Sequence, residues 1–370
     1  MADRRISGSR ASAQAGFSLL ELMVSMVIFA IVVGAIYMLL AVGRSDAFNT
    51  KQRTETMQNA RIALNTINRD AINAGVGYWK SGARTPDGTL ERLLFLPSET
   101  DGAQDWLTPV VPGNEVRTIT VDGQPVTTDA VTFVYQDNSF NNGQAIRVSA
   151  VVPGTNTLTV TPNNGAAVGG SLYVYVIDDG KEPCLGSLTA ISGANQLVFG
   201  SGDPLMLNNP GGSSTFALLN PAAASCKRVT WVTYFVSDDN VLIRRVYGQT
   251  ATLVGSGVEG GGIGGVVPPG SSGSGAGFVE MPLAYGVEGF QVQYLLADGS
   301  LVDDVLRIPP AGGNPEIRAD VRRQTIRLIR VTVNLRGSQD DPKSGQPVRV
   351  ELSGSFYTPN LVIPERPSGN

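Results

Sequence analysis

The chain of 370 residues contains no histidine. That removes Ser-His-Asp and Cys-His nucleophile arrangements and every histidine-based zinc site. Its two cysteines, Cys184 and Cys226, cannot build a structural zinc site by themselves. No glycine-rich dinucleotide fingerprint follows a strand-like run, and there is no P-loop. Carboxylates remain. The clusters Asp178-Asp179, Asp238-Asp239-Asn240, Asp303-Asp304 and Asp340-Asp341 could ligate calcium, but none has EF-hand spacing. Most fall at predicted turns, where Asp and Asn serve the backbone. No pair is singled out for glycoside chemistry. These residues predict no catalysis, no metal and no cofactor. Arg318, Arg322, Arg323, Arg327, Arg330 and Arg336 form a basic stripe. It is either a solvated face that guards an edge strand or a contact for an acidic neighbouring subunit. The net charge of −4 gives no reason to expect a nucleic-acid partner.

One carboxylate stands apart from the turns. Glu21 immediately precedes Leu22–Gly43, which holds 22 residues without a formal charge. As a helix, that run spans about 33 Å, enough to cross the hydrocarbon core of a bilayer. Arg4, Arg5 and Arg10, against Asp3, precede it and predict a cytoplasmic N-terminus with the bulk of the chain outside. The run is too long for a cleaved secretory signal, and Gly34-Ala35 and Ala41-Val42-Gly43 are poor cleavage sites. A plain signal anchor fits the length but leaves Glu21 without a reason. A carboxylate at a membrane helix centre costs about 2.5–3.5 kcal/mol, and less near an end.

"GFSLLELMVSMVIFAIVVG" (Gly16–Gly34) resembles the class III signal of type IV prepilins and of type II secretion pseudopilins. The resemblance implies a prepilin peptidase that cuts after Gly16 and methylates the new N-terminal Phe17. The glutamate at the fifth mature position is the family's hallmark, and Glu21 occupies it. Cleavage would leave an ammonium on Phe17, and Glu21 of one subunit would neutralise that of a neighbour during assembly. A buried ion pair is a poor source of net stability and a good device for register. The alternative is a glutamate that snorkels to the headgroups.

After Gly43 the chain turns polar and has no proline until Pro86. Met57, Ala60, Leu64, Ile67 and Ala71 recur at spacings of three and four. This predicts one continuous helix from about Phe17 to Ala74, stopped at Gly75. Its first half would lie in the membrane or filament core, and its second half under a globular head. "NRDAINAGVGYW" (Asn68–Trp79) resembles the corresponding stretch of PilW-type minor pilins and of their relatives, the J-type minor pseudopilins. The alternative is an ordinary glycine-capped helix end.

Beyond Gly75 the pattern is strands and turns. Asp129–Asp137 alternates, with Val131, Phe133 and Tyr135 on one face. Ser171–Gly180 reads as a strand buried on both faces. Leu188–Gly200 gives two short strands around Gly193-Ala194-Asn195. Arg228–Gly248 is a hairpin around Asp238-Asp239-Asn240. Val287–Ser300 ends in a turn at Asp298-Gly299. Gln324–Gly337 alternates arginines with aliphatics, with a bulge expected near Ile329, and Gln346–Asn360 closes the fold. The order of elements over 228–360 is similar to the C-terminal half of PilW-type minor pilins. Residues 80–225 have no counterpart and read as a family-variable insertion, and 255–277 as a flexible glycine-rich loop. Cys184 and Cys226 lie in the exported part, 42 residues apart, and are expected to form a disulfide worth near 4 kcal/mol in the entropic account. The alternative is two buried free thiols.

The expected fold class is α+β and pilin-like: a long N-terminal helix packed on a large antiparallel β-rich head. The expected segments are a leader at 1–16, a helix at 17–75 with its membrane or filament-core half at 17–43, and a head at 76–370. The resemblance implies a minor pilin of a type IV pilus, held in the inner membrane before assembly and then moved to the pilus. It would enter at low copy near the tip, because a bulky head strains regular helical packing. Its partners would be prepilin peptidase, the major pilin, other minor pilins and a large tip adhesin. The alternatives are a J-type minor pseudopilin of type II secretion, or a membrane-anchored surface adhesin or enzyme that borrows a prepilin signal.

Overall fold

The fold is taken from a computed structural model that describes residues 18–96, 104–152, 156–161, 173–180, 183–193, 195–208, 224–248, 277–305, 323, 325–341 and 344–362. The first element is a 55-residue helix, α1 (Leu19–Asn73), unbroken because no proline or internal turn signal interrupts it. Its buried residues are Gln52, Thr56, Ala60, Ala63, Leu64, Ile67, Asp70 and Ala71. The predicted stripe is therefore present but rotated: Met57 is only half-buried, and two polar residues and a carboxylate lie on the inward face. The chain leaves the helix at Gly75, whose N–H bonds the Val134 carbonyl at 2.9 Å.

The next elements are β1 (Ala83–Thr85), α2 (Thr89–Leu94), β2 (Asp105–Leu107), β3 (Val110–Val121) and β4 (Gln124–Gln136). Then follow β5 (Ile146–Val152), β6 (Thr157–Thr161), β7 (Val174–Asp178), β8 (Cys184–Ser187), β9 (Ala190–Ser192) and β10 (Gln196–Val198). The long hairpin is β11 (Ser225–Val236) and β12 (Val241–Tyr247), followed by β13 (Phe278–Tyr285). The chain continues with β14 (Val287–Leu296), β15 (Leu301–Val302), β16 (Ile326–Asp340), β17 (Pro347–Tyr357) and the single turn α3 (Pro359–Val362).

Strand β11 belongs to two ladders. Its first residues, Ser225–Arg228, pair with β7 and β5, in the order β2-β1-β8-β7-β11-β5-β6-β10-β9. Its later residues pair with β4 and β12, giving β3-β4-β11-β12-β13. A separate sheet runs β15-β14-β16-β17. The largest core joins α1 (Ala60, Ala63, Ile67, Ala71) to Val131, Phe133, Val232 and Tyr234 of the first sheet. Phe290, Val292, Ile329, Val331 and Val333 of the second sheet complete it. Asp129 ties the sheets together: its carboxylate accepts from Glu115 N–H at 2.8 Å and from Val292 N–H at 2.7 Å.

The stretch 80–225 divides. β3 and β4 line the helix-facing core, whereas β5–β10 extend the sheet beyond β11 around a second core of Tyr175, Ile177, Leu188 and Phe199. The β11–β12 hairpin, the pair β9–β10 and the turn at Asp298-Gly299 lie where the sequence placed them. β4 and β7 are buried on both faces because cores lie on either side. The bulge expected near Ile329 falls at Arg327. Register shifts opposite Leu295/Leu296, where Ile326 follows Leu328 in the pairing, and again at Val287/Gly289. The glycine-rich loop lies outside the described residues, apart from Gly277.

The expected disulfide is corrected. Cys184 and Cys226 are buried free thiols. Each lies directly across from Ile177, one on β8 and one on β11, with β7 between them. Two strand spacings separate their Cα atoms by about 9–10 Å, whereas a disulfide needs under about 7 Å. Burial pushes the Cys184 thiol up to about 12 and the Cys226 thiol higher still, so both stay protonated.

Candidate processing and assembly site

Gly16 and Phe17 lie outside the described residues. Ser18 opens α1 in an extended conformation and caps it. Its hydroxyl accepts from Leu20 N–H at 3.3 Å, and its own N–H donates to Glu21 Oε2 at 3.1 Å. Glu21 thus closes a capping box in the isolated chain, where a first-turn carboxylate also suits the helix dipole. These bonds are fully solvent-exposed, so Glu21 is accessible to a cation from outside the chain.

The apolar residues that follow meet nothing. Leu19, Leu22, Met23, Phe29, Ile36 and Leu39 are all more than half exposed. The most apolar stretch of α1 is long and apolar enough to cross a membrane, and none of it is buried in the protein. The head first touches the helix at Ser45, whose hydroxyl donates to Asp341 Oδ1 at 3.2 Å. Higher up, Ser338 Oγ donates to Gln52 Oε1 at 3.4 Å, and Asn360 donates to the Ile72 carbonyl at 2.8 Å.

The strongest helix–head contact is at Asp70, which is fully buried. One carboxylate oxygen accepts from Tyr234 Oη at 2.5 Å and Arg244 Nε at 2.8 Å; the other accepts from Tyr135 Oη at 3.0 Å. The three donors come from β4, β11 and β12, adjacent strands, with Tyr234 directly opposite Arg244. Burial, and after it the Asp70 charge, push both tyrosine hydroxyls up, so they remain donors. Burial opposes the charge on Arg244 more than any single neighbour supports it, but Asp70 together with the Tyr234 and Tyr135 hydroxyls outweighs that and the guanidinium is held above its ordinary value. Sequence reasoning noticed Arg69-Asp70 only as a pattern. The missed signal was a carboxylate on the apolar stripe, three residues after Ile67.

The other polar clusters are absorbed locally. Asp178 accepts from Trp79 Nε1 at 2.6 Å, Asp238 pairs with Arg117 at 2.6 Å, and Asp303 accepts from Gln293 at 2.8 Å. No three Asp, Glu or Cys side chains gather as metal ligands among the described residues. Of the arginine stripe, Arg318 and Arg322 lie outside the described residues. Arg323 is buried, Arg327 donates to the Leu361 carbonyl, and Arg336 pairs with Asp122 and Asp340. Arg330 is exposed on β16.

An exposed helix of membrane-spanning length, opened by the Ser18–Glu21 capping box, thus runs under an antiparallel head. Residues 11–37 match the prokaryotic N-terminal methylation motif, the prepilin-type signal. That motif supports a type IV pilin-like or pseudopilin protein, processed by prepilin peptidase, assembling with other pilins and anchored in a membrane beforehand. No curated protein and no solved structure gives a significant match to the chain.

Proposed function

We propose that this chain is a PilW-type minor pilin of a type IV pilus, working by assembly and not by catalysis. Prepilin peptidase cuts after Gly16 and methylates Phe17. The apolar half of α1 then leaves the bilayer for the filament core, where Glu21 neutralises the terminal ammonium of a neighbour. The observation that carries the reading is the methylation motif continuous with a wholly exposed apolar helix. The large head favours low-copy incorporation near the tip, beside other minor pilins, the major pilin and a tip adhesin. The test is the mass of the mature N-terminus in membranes and in sheared filaments. A methylated Phe17 in both, lost when Gly16 is replaced, is the expected result. A Met1 or Ala2 start would sink the mechanism. A methylated Phe17 in membranes with none in pili, together with a secretion defect on deletion, would reassign the chain to the J-type pseudopilins.

A further inference from the structure

Above the buried Gln52 and Thr56, the helix face that meets the head carries small groups, Ala60, Ala63 and Ala71, with Leu64 and Ile67. Apolar contact is non-directional, and a face of methyl groups has few ridges to resist rotation or sliding. Against this face the structure sets the Asp70 carboxylate, fully buried and gripped from Tyr135, Tyr234 and Arg244; the other short bond, Asn360 to the Ile72 carbonyl at 2.8 Å, is solvent-exposed and lies at the last turn. The lower contacts, Ser45 with Asp341 and Gln52 with Ser338, are only part-buried and at the long end of hydrogen-bond range. From these observations we infer that Asp70 is the positioning residue that fixes the rotation and axial register of α1 against the head. It thereby sets the direction in which Glu21 is presented to a neighbouring subunit.

The geometry gives this consequences at a distance. Asp70 lies 49 residues above Glu21, about 74 Å along the helix, and at about 100° per residue Glu21 projects about 140° round the axis from Asp70. A carboxylate gripped inward by the head therefore turns the other outward. A slip of one residue rotates every side chain by about 100° and moves a tip about 5 Å from the axis by ~8 Å. Buried ionic groups have their best-attested use in setting such registers, at little net gain in stability.

The role of Glu21 here rests on the pilin reading, but the test is made in a single full-length chain in the membrane, before assembly. Ser45→Cys and Asp341→Cys place a reactive pair at the lowest helix–head contact, 25 residues below Asp70. A short bis-maleimide joins them, and the yield is read by gel mobility. The buried Cys184 and Cys226 thiols, unreactive while the head is folded, report folding in the same sample. In Asp70→Leu/Arg244→Met, with those thiols still protected, the yield is expected to fall at least threefold. An unchanged yield would overturn the inference and assign register to the apolar stripe alone. Should the double variant expose the thiols, Tyr135→Phe/Tyr234→Phe keeps the ion pair, removes two of three grips and is read the same way. Either result leaves the N-terminal mass experiment intact, so failure of the register idea and failure of the pilin reading are distinguishable.

Discussion

Replacing Arg244 by methionine leaves Asp70 as a buried carboxylate beneath three strands, with two phenols to hydrogen-bond it and only the exposed Arg69 guanidinium, 3.6 Å away, as a counter-charge. Breaking a buried pair by removing one partner costs about 3–5 kcal/mol, because the remaining charge cannot be solvated. Removing both with groups of similar volume is often close to neutral. Arg244→Met is therefore expected to cost about 3–5 kcal/mol and Asp70→Leu/Arg244→Met within about 1–2 kcal/mol of the parent. The cycle closed with Asp70→Leu would then show a coupling of about 2 kcal/mol or more, as expected of side chains in contact. Equilibrium urea unfolding of the full chain in detergent, followed through the emission of the wholly buried Trp231, supplies the four free energies. If Arg244→Met costs under about 1 kcal/mol, the carboxylate finds water in the folded protein and the argument from its burial fails.

Three further outcomes are expected. Titration with a thiol reagent should find no reactive cysteine in the folded chain and two on unfolding without reductant; none after unfolding would restore the disulfide between Cys184 and Cys226. Burial pushes Asp129 from 3.8 up to about 6, so the folded state holds that proton more tightly than the unfolded chain. Its contribution is thus full below about pH 4 and lost as pH rises through 6, a fall of up to about 3 kcal/mol. Asp129→Asn should flatten that part of the pH–stability curve, and an unchanged step would assign it elsewhere. At Gly82, with φ 86°, an added Cβ would lie 2.5 Å from the Leu107 carbonyl oxygen, whereas at Gly88, with φ 73°, it meets open space. Gly82→Ala should cost at least about 2 kcal/mol and Gly88→Ala about 1 kcal/mol, read from the same urea curves; equal costs would discount the carbonyl contact.

Most of what was legible in the sequence is local. The helix could be followed because its apolar run and its stripe repeat at the helical period, and no proline interrupts either. Hairpins such as β11–β12 announce themselves by alternation around Asp238-Asp239-Asn240. What stayed hidden depends on pairing between distant residues. That Cys184 and Cys226 both face Ile177 is a fact of sheet order, and sheet order is not written in spacing; the expectation of export suggested a bond that the intervening strand forbids. Likewise, β3 and β4 read as part of an insertion until their strands are seen beside β11. The partners of Asp70 are 65, 164 and 174 residues away, so no window along the chain could show them together.

The two halves of α1 obey opposite rules, and the contrast bears on function. Above Ser45 the helix satisfies itself within the chain: its small apolar face is covered, and its one inward carboxylate is fully bonded. Below Gly43 the backbone bonds itself but the apolar side chains are uncovered, and the side-chain hydrogen bonds are those of the first turn, where Ser18 and Glu21 cap each other. An apolar surface of that length is stable only inside a bilayer or against other apolar helices. The capping box in turn gives Glu21 an exposed local partner that it can give up at little cost, because a solvent-exposed bond is worth far less than a buried, charge-assisted one. In the proposed assembly a neighbour's terminal ammonium would compete with a single backbone N–H for that carboxylate, and burial of both groups in a filament core would tilt the competition towards the ammonium. Removing the Ser18 cap should therefore disturb the isolated helix start by about 1 kcal/mol while leaving incorporation into filaments intact. Removing the Glu21 charge should do the reverse. Filament incorporation of Ser18→Ala and Glu21→Gln, set against helix content in detergent, separates the two roles; equal loss of incorporation in both would show that capping alone is what the assembly needs.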